Sequence, residues 1–155
     1  MKVALGADHA GLEVKELVKK YLQGKGIEVI DLGTNSTESV DYPDFARQVA
    51  QFVSDSKADW GVLACKSGIG MSIAANKIKG VRAALVHTPE ETRLARGHNN
   101  ANVMTLSGAT TKKEDIPKII DAWLETAFEG GRHQRRIDKI SEMERQKNIS
   151  KGTSA

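Results

Sequence analysis

The sequence predicts a three-layer α/β/α sandwich around a five-stranded parallel sheet, and three observations carry that prediction. Five short apolar runs alternate with segments of helical periodicity along the chain. The first, third and fourth runs offer no polar position that could face water, the mark of strands covered on both faces. Glycine-rich and polar segments follow the runs, so in a parallel sheet they gather on one rim, where such folds bind ligands.

The elements follow in order. KVALGA (2–7) is the first strand and leads into a helix over 12–23; EVIDLG (28–33) is the second, followed by a helix over Tyr42–Ser54. WGVLAC (60–65) precedes a helix over 68–76, RAALVH (82–87) precedes one over 89–97, and NVMTLSG (102–108) completes the sheet. This repeated βα pattern is Rossmann-like. Two helices close the fold, over 113–128 and 134–145. In the first of them Ile116, Ile119, Ile120, Trp123, Leu124 and Ala127 recur with a 3.6-residue period and define a buried face. QKNISKGTSA is polar and unpatterned, so one domain is expected over 1–147, with 148–155 as a flexible tail.

A chain of 155 residues can bury a working core without a disulfide or structural metal. The single cysteine suits a reducing compartment, MKVALGADHA reaches Asp8 too soon for a secretory signal, and no run approaches the ~18 to 20 apolar residues of a membrane span. A cytoplasmic protein with no membrane partner is expected. The formal charge of +3 is mild, although Arg132, Arg135, Arg136 and Lys139 crowd together. No aromatic residue is interleaved with them and no zinc-finger or RNP pattern occurs, which speaks against nucleic acid. A small anionic ligand needs only two or three such charges.

Cys65 ends the third strand, and Ser67, Gly68, Ile69 and Gly70 open the next helix. Glycines let backbone N–H groups approach a ligand closely, and those groups carry the positive end of the helix dipole, so the turn suits an anion and favours a thiolate. Cys65 could also be a small apolar residue packed at a strand end; its place before a glycine turn favours a reacting group. Familiar motifs fail here. A P-loop would need glycine at Trp60 and Cys65, a thiol phosphatase would need arginine at Met71, and a dinucleotide fingerprint would need glycine at Ile73.

Asp8 and His9 follow the first strand; Asp8 also fits a helix cap, whereas His9 can hold a proton or touch an anion. His98 and Asn99 precede the fifth strand, where a helix ending accounts for them equally well. Arg132 and Arg136 stand four apart on one helical face and suit a phosphate, although a charge run is also what a solvated face looks like. Four histidines and one cysteine show no ligand-type spacing, so no metal site is expected.

Taken together, GADHAG, DLGT, VDYPDFA, C-x-SGIGMSIAANKIKGVRAAL, ARGHNNANV and EGGRHQRR resemble the ribose-5-phosphate isomerase B family, which includes allose-6-phosphate and galactose-6-phosphate isomerases. The resemblance implies cofactor-free interconversion of ribose 5-phosphate and ribulose 5-phosphate. It makes Cys65 the base, Ser67 its helper at the sugar oxygens, and the amides of Ser67, Gly68, Ile69 and Gly70 the holders of an enediolate. It gives ring opening to Asp8 and His98, substrate contacts to Tyr42 and Asn99, and the phosphate to His9, Arg132 and Arg136. It further implies a homodimer or tetramer with active sites shared between subunits. A six-carbon sugar phosphate and a non-catalytic sugar-phosphate-binding module are the alternatives. Two departures stand out: Lys66 replaces the family's usual glycine, and Ala109 or Thr110 falls where an arginine is common.

Overall fold

The computed structural model describes residues 1–152. Five strands, β1 (Lys2–Ala7), β2 (Glu28–Asp31), β3 (Trp60–Cys65), β4 (Ala83–Leu85) and β5 (Val103–Ser107), pair in parallel in the order β2-β1-β3-β5-β4. Helices α1 (Leu12–Gly24), α4 (Pro89–Asn99) and α5 (Ile116–Glu125) pack together on one face. The other face carries α2 (Tyr42–Ser54) and α3 (Ile69–Ala75). The sixth helix, α6 (Arg132–Gly152), packs against α4.

Strand alternation divides the core in two. Val3, Leu5 and Ala7 with Val62 and Ala64 meet the α1 and α5 side chains, whereas Ala4, Leu63 and Cys65 meet Val49, Ala50 and Met71 of α2 and α3. Cys65 therefore points beneath the start of α3. Strands β1, β3 and β5 are buried almost throughout, as continuous apolar runs require. The fourth run was expected to be covered on both faces; instead β4 is the edge strand and its residues are half-buried. Its apolar character is explained by the core itself: Ala84 packs against the cluster on the α1 and α5 side, and Ala83 against the cluster on the α2 and α3 side.

Helix boundaries depart from expectation at the caps. Gly68 takes φ +77°, a left-handed conformation, so α3 starts one residue later, at Ile69. Thr88 caps α4 by accepting from the Glu91 N–H at 3.1 Å, while Glu91 Oε2 reaches past the cap and accepts from the His87 N–H at 2.7 Å. The helix expected over 113–128 is a short 3-10 turn (Lys113–Asp115) followed by α5, which holds Pro117 in its first turn. It ends at Glu125, which leaves Ala127 exposed. Conversely, α6 continues to Gly152, where a frayed tail was expected; Arg145 and Gln146 both bond Glu142 along its polar face. Residues 153–155 of the expected tail lie outside the described residues.

One buried ion pair fastens α1 to the end of β2. The Lys15 ammonium, its side chain 1% exposed, donates to Asp31 Oδ1 at 2.7 Å and to Asn35 Oδ1 at 2.9 Å, and Lys19 donates to Asp31 Oδ2 at 2.8 Å. Burial pushes the Asp31 carboxyl up, but the hydrogen bonds from Lys15 and Lys19 outweigh it and hold the group below its ordinary value. A carboxylate depressed in this way stabilises the fold above its unfolded pKa and stops doing so as pH falls through its folded one. Lys15→Met is expected to cost roughly 3 kcal/mol at neutral pH by urea denaturation. The gap from wild type should begin to narrow as pH falls below the unfolded carboxylate value of about 4 and close further as pH passes the lower folded value of Asp31, where wild type loses the pair.

Candidate active site

The carboxyl ends of β1, β3 and β5 form a rim whose backbone is locked by hydrogen bonds. The Asp8 N–H donates to Ala64 O at 3.2 Å, the Gly108 N–H to Cys65 O at 2.7 Å, and the Ser107 hydroxyl to Lys66 O at 2.8 Å. Asp8 is buried, and its Oδ1 accepts from the N–H groups of Ala10 and Gly11 at 2.9 and 3.0 Å. It thus holds the turn ahead of α1 while sitting beside the end of β3.

Cys65 is 4% exposed and its Sγ accepts from the Gly68 N–H at 3.2 Å. That donor interacts more strongly as the sulfur gains negative charge. Ser67 is exposed, its Oγ accepting from the Ile69 N–H at 3.2 Å. Gly70 has no room for a side chain, since a Cβ there would lie 2.5 Å from the Tyr42 ring. Tyr42, at the start of α2, consequently walls the turn. His9 is exposed on the same rim, with Nδ1 accepting from the Val40 N–H at 3.2 Å. The fold thus gathers Asp8, His9, Tyr42, Cys65, Ser67, Gly68, Ile69 and Gly70 at one end of the sheet. A groove next to Cys65 is lined by Lys66, Ser67, His87 and Thr110, so the lysine of the turn faces open space beside the site.

The remaining predicted residues sit elsewhere. His98 and Asn99 end α4, and the turn that follows lies at the amino ends of the strands: Arg82 Nε donates to Asn99 O at 3.0 Å, and the Gly61 N–H to Asn102 O at 3.0 Å. In register, Gly61 pairs with Val103 and Cys65 with Ser107, so the two ends stand roughly 13 Å apart along the strands. Arg132 and Arg136, both exposed, belong to this second cluster through their neighbour His133, whose ring stacks on His98 with centroids 4.1 Å apart and planes 10° from parallel. Burial holds the His133 imidazole below its ordinary pKa, with the charges of His98 and Arg132 acting in the same direction.

Three residues of the second cluster escape sequence reasoning. Arg96 is buried between Trp60 and Trp123, its guanidinium carbon 4.9 and 5.3 Å from their ring centroids, and donates to Ala101 O at 2.6 Å. It fixes the turn carrying His98 and Asn99, yet an arginine in a polar helix reads as surface. Glu129 and His133 converge on His98, with carboxylate oxygens 3.6 Å from His98 Nε2 and 3.3 Å from His133 Nε2. Chain spacing offers no ligand-type pattern, but the fold brings these three side chains together, with one ligand atom of each within 4.8 Å of the others.

Both clusters fall within residues 3–140, which match the model of the ribose/galactose isomerase family. The chain belongs to that family. Among its relatives, ribose-5-phosphate isomerase B of Escherichia coli K12 is 43% identical over 147 residues, covering 95% of this chain and 99% of that protein. The crystal structure of a ribose 5-phosphate isomerase from Thermotoga maritima is 55% identical with a TM-score of 0.89, covering 91% of this chain and 97% of the other. Ribose-5-phosphate isomerase B of Mycoplasma genitalium, solved with bound ribulose 5-phosphate, is 46% identical with a TM-score of 0.89, covering 93% and 96%. The family's three-layer, Rossmann-like architecture is the one described above. Among the described residues, no helix is long and apolar enough to cross a membrane.

Proposed function

We propose that this protein is a cytoplasmic, cofactor-free ribose-5-phosphate isomerase, interconverting ribose 5-phosphate and ribulose 5-phosphate through an enediolate. The observation that carries the reading is the Cys65 sulfur accepting from the Gly68 N–H, beneath a glycine turn at the carboxyl end of β3. In the aldose-to-ketose direction Cys65 takes the proton from C2, the C2–H electrons form the C1=C2 bond, and the carbonyl electrons move onto O1. The same sulfur returns the proton to C1 as Ser67 relays the hydroxyl proton between O2 and O1. Such a proton is weakly acidic, so its removal needs a base and stabilisation of the developing oxyanion together. The amides of Ser67, Gly68, Ile69 and Gly70 serve the second need, each contributing on the order of 10²-fold.

Ring opening falls to Asp8 and His98, substrate positioning to Tyr42 and Asn99, and the phosphate to His9, Arg132 and Arg136. Because those groups occupy opposite ends of one sheet, one chain cannot assemble them around one sugar. A second copy completes each site, and the protein works as a homodimer or a pair of dimers. Ile69 and Ile73 of α3 with Ile140 and Met143 of α6 are exposed and supply apolar surface for that contact.

The test is an isomerase assay on chelator-treated protein, with ribose 5-phosphate and allose 6-phosphate compared. Turnover is expected without added metal, with the higher kcat/KM on ribose 5-phosphate. The reverse order moves the assignment to a six-carbon sugar, and saturable binding of either without turnover makes the protein a sugar-phosphate-binding module.

A further inference from the structure

We infer that His98, Glu129 and His133 form an inhibitory binding site for a zinc-class divalent ion. One ligand atom from each lies within 4.8 Å of the others. His133 is buried and its Nε2 has no hydrogen-bond partner among the described residues, although the Glu129 carboxylate stands 3.3 Å away. The same carboxylate is 3.6 Å from His98 Nε2. Two imidazole nitrogens and a carboxylate thus converge without being joined, one of them withdrawn from water with nothing to bond.

The donor set decides the kind of ion. Two imidazoles and one carboxylate suit zinc and its neighbours rather than magnesium or calcium, and three protein ligands leave a fourth position for water. Bonds of about 2.1 Å in a tetrahedral shell place ligand atoms roughly 3.4 Å apart, so the widest separation in the triad has to contract by up to about 1.4 Å. The mobile partners are available: the side chains of His98 and Glu129 are 37% and 56% exposed, and His98 can turn off its stack on His133 so that the two lone pairs converge. Arg132 and Arg136 keep the local potential positive, which weakens the site for a cation. An ion held here takes His98 away from the ring-opening role proposed above, on which the inhibitory half of this inference rests.

Binding is measured first, by calorimetry with zinc and by the visible d–d absorption of bound cobalt, in a Cys65→Ala background that removes the thiol as a competing ligand. One ion per chain is expected, weakened about tenfold or more by Glu129→Gln and by His133→Asn. Glu129→Gln alone suffices if the buried histidine variant fails to fold. Absence of binding, or binding that neither substitution weakens, overturns the site. Zinc is then titrated into the isomerase reaction of otherwise native protein, and the inhibitory concentration should rise about tenfold in Glu129→Gln relative to its own uninhibited rate. Zinc that binds as expected but leaves turnover unchanged overturns the inhibitory half. A protein with no turnover on any sugar phosphate fails the proposed function, while the calorimetric result still decides the metal site.

Discussion

Cys65→Ala should lower kcat by about four orders of magnitude while leaving sugar-phosphate binding within a few-fold of wild type. The expectation follows from what the side chain does and does not hold. Among Leu63, Met71 and Ala75 it fills little more than the volume of one sulfur atom, so its removal leaves a small void, costing roughly 1 kcal/mol. The turn itself is retained by the Gly108 and Ser107 hydrogen bonds to the carbonyls of Cys65 and Lys66. In the proposed reaction the chemistry loses its base, whereas the phosphate and the sugar hydroxyls keep the partners proposed for them. Binding by calorimetry and a thermal melt, run beside the rate measurement, separate this from misfolding. Undiminished turnover in the variant removes the sulfur from the reaction.

Cys65→Ala and His98→Asn should each be inactive alone and recover about a quarter of wild-type turnover when unfolded and refolded together in equal amounts. Half of the dimers then carry one chain of each kind, and each such dimer has one site with both defects and one with neither. The prediction rests on the separation of the two clusters along the strands, since a site built within one chain gains nothing from mixing. Native mass spectrometry confirms that mixed dimers form. If they form and activity stays at the level of the separate variants, the shared site is wrong.

The alternation of apolar runs and amphipathic segments made the sheet legible because β1, β3 and β5 are buried on both faces and leave no ambiguity of period. Strand β4 misled because its alanines pack against the core on both faces, so an edge strand carries the same apolar signature as a central one. The length of α6 was hidden for the opposite reason: its last turns are polar apart from Ile149, with no apolar face to repeat. Cys65 and its turn could be read because the glycines mark where a backbone must bend or approach closely. The far-end position of the turn after α4 was already implicit in a parallel sheet, where a turn that leads into a strand lies at its amino end; what the sequence hid is the set of side chains that meets there. Glu129 and His133 meet His98 through a fold contact for which no local pattern exists, and the buried Arg96 is concealed by the usual solvent exposure of its residue type.

The two glycines of the turn have unequal neighbours. At Gly68 an added methyl group would lie 2.9 Å from the Leu106 carbonyl, backbone that cannot retreat, and φ there is already +77°. At Gly70 the obstacle is only the Tyr42 ring, the far end of a side chain that is 40% exposed. Anyone enlarging this cavity for longer sugars should therefore trim Tyr42 and leave the floor alone: mutability is confined to one side, and a library that randomises both would spend most of its members on chains that never fold.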